Sequence, residues 1–83
     1  MDFRTRWGRN IAEARRRLGM SQTELGDAIP LRNKMSAHTV SRWERGVTVP
    51  SDENRIRLAE ILGVPAGDLF PYPDDSNGGE AAA

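Results

Sequence analysis

Residues 36–46 read Ser36-Ala37-His38-Thr39-Val40-Ser41-Arg42-Trp43-Glu44-Arg45-Gly46, and the rest of the chain is organised around them. The stretch opens on a residue of the N-cap type and closes on glycine, which predicts a helix over 36–45. At about 100° per residue, Val40 and Trp43 fall together on one side, while Ala37, His38, Ser41, Arg42 and Arg45 fan across the other. A helix face that is merely solvated favours strong helix formers. This one carries Ser, His and Arg, hydrogen-bonding groups of short or medium reach. The pattern predicts a helix that packs through one face and reads nucleic acid through the other. Trp43 has a ring that can stack on bases, but its phase assigns it to the packing side.

Upstream, Phe3, Trp7, Ile11, Ala14 and Leu18 recur at steps of four, four, three and four, the spacing of one buried helical stripe. Arg15, Arg16 and Arg17 crowd the last turn, where positive charge suits the helix dipole, and Gly19 follows as a stop. Arg15 falls on the same side as Ile11 and Leu18. Its guanidinium therefore stands at the edge of the core and needs a carboxylate partner. Glu44 is the best candidate.

A second helix starts at Ser21-Gln22-Thr23-Glu24, a capping box, and stops at Pro30, because the residue before proline avoids the helical region. Gly26 inside it costs about 1 kcal/mol relative to alanine, so a neighbouring helix should pass close by. Residues 29–35 form a connecting loop. After Gly46 the chain is extended to Pro50, and Ser51-Asp52-Glu53 caps a fourth helix running to about Leu62. Its Ile56, Leu58, Ala59, Ile61 and Leu62 give it a broad apolar face. Gly63 ends it, and Val64, Leu69 and Phe70 follow in a short last helix or turn. Residues 71–83 hold almost nothing to bury and read as a flexible tail after one domain over 1–70.

The chain has 83 residues, no cysteine and one histidine, so a disulfide framework, a thiolate metal site and a zinc site are not expected. No stretch has the length of a membrane span or the apolar core of a signal peptide. A reducing, cytoplasmic setting in a bacterial or phage-infected cell is the expectation. Twelve basic residues balance twelve acidic ones, but all twelve Lys and Arg lie within residues 1–57 against seven acids, a local excess of +5. That asymmetry favours a nucleic-acid face that the neutral total hides. Catalysis is not expected. There is no paired-carboxylate motif, no nucleophile with its base, no glycine-rich phosphate loop and no cofactor or metal constellation.

Arg15, Gly19, Ser21-Gln22, Glu24-Leu25, Val40-Ser41, Trp43-Glu44-Arg45-Gly46, Pro50, Leu58-Ala59, Leu62-Gly63-Val64 and Leu69 together resemble the Cro and phage-repressor (XRE) type of helix-turn-helix protein. The likeness covers about residues 9–70. It implies an all-α, compact five-helix bundle of the phage-repressor DNA-binding-domain type, with helices two and three forming the DNA-binding unit. The chain departs from the family pattern in a longer connection over 29–35 and in Gly26, where alanine is usual.

By position, the resemblance makes Ala37, His38 and Arg42 the base-facing residues in the major groove. Arg42 suits a bidentate pair with guanine O6 and N7, His38 a purine edge, and the Ala37 methyl a thymine methyl. Gln22, Thr39, Ser41 and Arg45 would orient on phosphate, with Arg32 and Lys34 of the loop near the passing backbone. Arg15 and Glu44 resemble a structural ion pair joining helices one and three. The function implied is a sequence-specific transcriptional regulator, a repressor that binds an inverted repeat in double-stranded DNA as a homodimer. Val64, Leu69, Phe70 and Tyr72 are expected as spare apolar surface for the dimer. The competing class is a protein-interaction module, such as an antitoxin or an adaptor using the same bundle. No small-molecule ligand and no membrane contact are expected.

Overall fold

The computed structural model describes residues 2–29 and 36–72. Five helices follow in order: α1 (Phe3–Arg17), α2 (Gln22–Ala28), α3 (Ala37–Glu44), α4 (Asp52–Leu62) and α5 (Ala66–Leu69). The described residues contain no strand, and the architecture is the all-α bundle expected.

Helix starts are written into the sequence by side chains that accept from otherwise orphaned backbone N–H groups. Asp2 accepts from Arg4 N at 3.1 Å, Ser36 from Thr39 N at 3.2 Å and Ser51 from Asn54 N at 3.3 Å. Ser21 and Glu24 form the reciprocal box, with Ser21 N donating to Glu24 Oε1 at 2.7 Å and Glu24 N to Ser21 Oγ at 3.0 Å. Each such cap contributes about 1 kcal/mol. At the other end of α4, Gly63 adopts the left-handed φ of +69°, which lets its N–H return to Ala59 O.

One core gathers Trp7, Ile11 and Ala14 of α1, Leu25 and Ile29 around α2, Val40 and Trp43 of α3, Leu58 and Leu62 of α4, and Leu69 and Phe70 at α5. Each large apolar side chain buried here is worth roughly 1.5–3 kcal/mol. Trp7 is its hub at the C-terminal end. Phe70 and Phe3 meet its ring edge to face at 5.3 and 5.1 Å, and the Arg55 guanidinium lies 5.0 Å from the ring centroid. The indole Nε1 donates to Pro71 O at 2.6 Å, and Asn10 Nδ2 donates to Leu69 O at 2.9 Å.

The sequence reading is corrected at several apolar positions. Leu18, expected in the buried stripe, is 52 % exposed because α1 ends at Arg17 and Leu18 becomes its C-cap. Ile56, expected on the apolar face of α4, is 56 % exposed. The remaining apolar residues of that helix do face the core, Leu58 and Leu62 buried and Ala59 and Ile61 half-buried against it, so the face is narrower than expected only by Ile56. Leu69 and Phe70, expected as spare surface, close the core instead. Pro71, expected in the tail, is fastened to α1 by Trp7; positions 73–83 lie outside the described residues.

Trp7→Phe removes that indole donor and leaves the Pro71 carbonyl unmatched in a half-buried setting, a loss of about 1–2 kcal/mol. At roughly 4–8 °C per kcal/mol for a domain of this size, thermal unfolding should shift down by about 4–16 °C.

Candidate nucleic-acid interface

Two helices hold α3. It packs against both α2 and α1 with Val40 and Trp43 buried, and its frame of about two turns is closed by Gly46, whose φ of +77° brings the chain against Thr5. At the crossing with α1 there is no space for a side chain. A Cβ built on Gly8 would stand 2.5 Å from the Glu44 carbonyl oxygen and 2.7 Å from its carbon, with the Trp43 carbonyl closer still. Gly8 was passed over in the sequence, although an interior helical glycine, like Gly26, demands a packing reason.

The second constraint is polar. Arg15 Nε and Nη2 donate to Glu44 Oε2 and Oε1 at 2.6 and 3.1 Å, and Arg15 Nη1 donates to Met20 O at 2.9 Å. Gln22 Nε2 donates to the same Glu44 Oε1 at 2.9 Å. The two charged side chains retain only 11 % and 6 % of their exposure. The hydrogen bonds to Glu44 raise the Arg15 pKa above its ordinary value despite the opposing effect of burial, so the guanidinium is charged throughout the usable pH range. One carboxylate thereby fixes the ends of α1, α2 and α3 to one another. A bidentate arginine adds direction to that link as well as strength.

Apart from Ala37, the outward face of α3 is polar. His38 and Arg45 are exposed, while Ala37, Thr39, Ser41 and Arg42 are half-buried. Val40 and Trp43 are both buried, with Trp43 4 % exposed. Arg45 Nε donates to Ser41 Oγ at 3.2 Å, and the Ser36 and Thr39 hydroxyls lie 3.3 Å apart. Gln22 has one amide N–H engaged by Glu44 and a second available for an anion. Arg32 and Lys34 lie outside the described residues.

A polar helix face held out from a bundle by a second helix packed across it is the arrangement of a helix-turn-helix DNA-binding domain. The Helix-turn-helix family profile matches residues 11–69, and the chain belongs to that family, in its Cro and phage-repressor (XRE) branch. Among curated proteins it is similar to the type II methyltransferase M.SsoII of Shigella sonnei, 41 % identical over 68 residues, 82 % of this chain and 16 % of that protein. It is also similar to the type II methyltransferase M1.ScrFI of Lactococcus lactis subsp. cremoris, 42 % identical over 62 residues, 75 % of this chain and 14 % of that protein. The chain thus spans about one-sixth or less of the length of these relatives. No solved structure matches significantly.

Proposed function

We propose that this DNA-binding regulator is sequence-specific and acts as a repressor, reading an inverted repeat in double-stranded DNA as a homodimer with α3 in the major groove. The observation that carries the reading is the division of α3: Val40 and Trp43 buried, and Ala37, His38, Ser41, Arg42 and Arg45 turned outward on a helix locked to α1 and α2. Arg42 takes a guanine edge, His38 a purine edge and Ala37 a thymine methyl. Gln22, Thr39, Ser41 and Arg45 contact phosphate and set the register.

The second copy meets the groove between α4 and α5, where Ile56 and Tyr72 stand exposed beside Ala66 and Gly67. Likeness to two type II methyltransferases supports a regulator working within a DNA modification system rather than in phage immunity. This reading gives the chain no catalytic step.

Selection of bound duplexes from a random pool tests it, repeated with Arg42→Ala and His38→Ala. Each substitution should relax preference at one base pair, with a loss of about 1–3 kcal/mol of discrimination there. Unchanged preference in both variants would remove the base-reading role from α3.

A further inference from the structure

Between α1 and the outward face of α3 lies an open cleft of about 450 Å³ whose rim includes Arg9 and Arg16 of α1, Gln22 of α2, and Ser41 and Arg45 of α3. Ser41 and Arg45 are already turned to the solvent side of α3, so the cleft opens on the side that the proposed reading gives to DNA. Its floor holds Glu44, whose oxygens are taken by Arg15 and Gln22. The remaining carboxylate at the rim is Glu13. With Arg15 behind the floor, four guanidiniums face two carboxylates, a net charge of +2. Arg16 is exposed and makes no ion pair among the described residues.

We infer that this cleft seats a phosphodiester of the DNA backbone, with α1 supplying one wall of the site through Arg9 and Arg16. The inference rests on the DNA-binding reading and extends the footprint to a helix outside the helix-turn-helix unit. Planar guanidiniums converging from two helices suit a phosphate, whose oxygens accept forked pairs from more than one direction. Ser41 orients Arg45 by accepting from its Nε, which leaves the terminal nitrogens of Arg45 directed away from that bond. Such a site adds affinity and register without base preference.

Arg16 and Arg17 make the test, because they carry the same charge one residue apart and only Arg16 lines this cleft; Arg17 lines a different hollow beside Val64 and Asp68. Binding of the full chain to a random-sequence duplex is measured over a range of salt for wild type, Arg16→Gln, Arg9→Gln and Arg17→Gln, with thermal melts to confirm folding. Each phosphate contact contributes about 0.9 to the slope of log affinity against log salt. Arg16→Gln should lower the slope by about 1 and weaken binding equally on all sequences, Arg9→Gln should act in the same direction, and Arg17→Gln should leave the slope near wild type. Equal slopes for Arg16→Gln and Arg17→Gln, with wild type still strongly salt-dependent, would overturn the cleft and leave DNA binding standing. No salt-dependent binding by wild type would overturn both. A second arm titrates inorganic phosphate alone: saturable binding at the cleft that survives excess duplex would assign it to a free anion and overturn the backbone contact.

Discussion

Gly8→Ala is expected to cost about 2–3 kcal/mol of stability, an unusual result for a substitution that improves helix propensity. Alanine returns up to about 1 kcal/mol in a helix interior. Against that, the new methyl group meets the carbonyl groups of Trp43 and Glu44. These are backbone atoms and cannot rotate aside, so α1 and α3 must separate. Overpacking of this kind costs typically 1–3 kcal/mol and occasionally more, and here the separation also strains the Arg15–Glu44 link beside it. Thermal unfolding should fall by roughly 8–24 °C. Gly67→Ala is the control, since a Cβ there meets nothing within 4 Å and the melting temperature should stay close to wild type or rise slightly. A Gly8→Ala protein as stable as wild type would show that the two helices are not in closest contact at that point. Because Trp43 and Glu44 form the last turn of α3, the folded fraction should also lose DNA affinity by more than its stability loss accounts for.

The helices and their order were legible because short-range chemistry marks them. Ser21, Ser36 and Ser51 start helices through bonds reaching only three residues, and Gly46 and Gly63 stop them through a backbone conformation of their own. Burial was less legible, because it depends on which elements finally cover a face. Ile56 and Phe70 are apolar at equally suitable phases. Phe70 turns inward onto Trp7, and Ile56 stays out because nothing among the described residues lies over it. On α3, the split between Val40 with Trp43 and the polar residues follows from phase alone, and the buried and exposed positions fall on the sides that phase assigns. What phase could not give is a relation between helices far apart in sequence. The sequence assigns Gln22 to phosphate alone and gives no sign that it shares Glu44 with Arg15. The closeness enforced at Gly8 and the cleft beyond it are of the same kind, set by a crossing that no single helix encodes.

Arg15→Ala should be the most damaging single change, at about 3–5 kcal/mol, because it leaves the Glu44 carboxylate buried with Gln22 as its remaining side-chain donor. Folding stabilities of small domains are about 5–15 kcal/mol in total, so much of the variant is expected to be unfolded near 37 °C, as circular dichroism during a thermal ramp would record. The pKa direction fixes the pH behaviour. Since the folded value of Arg15 is raised above that of an ordinary guanidinium, its contribution is full at every pH below that ordinary value and is lost only above it, so alkaline titration should show no weakening traceable to this pair within the working range. A cycle through Arg15→Met, Glu44→Leu and the double variant separates the pair's net worth from the penalty of orphaning one partner. Both single variants should melt far below wild type, while the double variant recovers much of the loss, because an apolar pair of similar volume carries no desolvation cost. Recovery of stability without recovery of DNA affinity would then identify the role of the pair: a bidentate carboxylate with a third bond from Gln22 fixes the angle at which α3 leaves the bundle, and Met and Leu fill the same volume without fixing an angle. If the Arg15→Ala protein instead melted within a few degrees of wild type, the ion pair would be an incidental contact and the orientation of α3 would have to rest on Gly8 and the core alone.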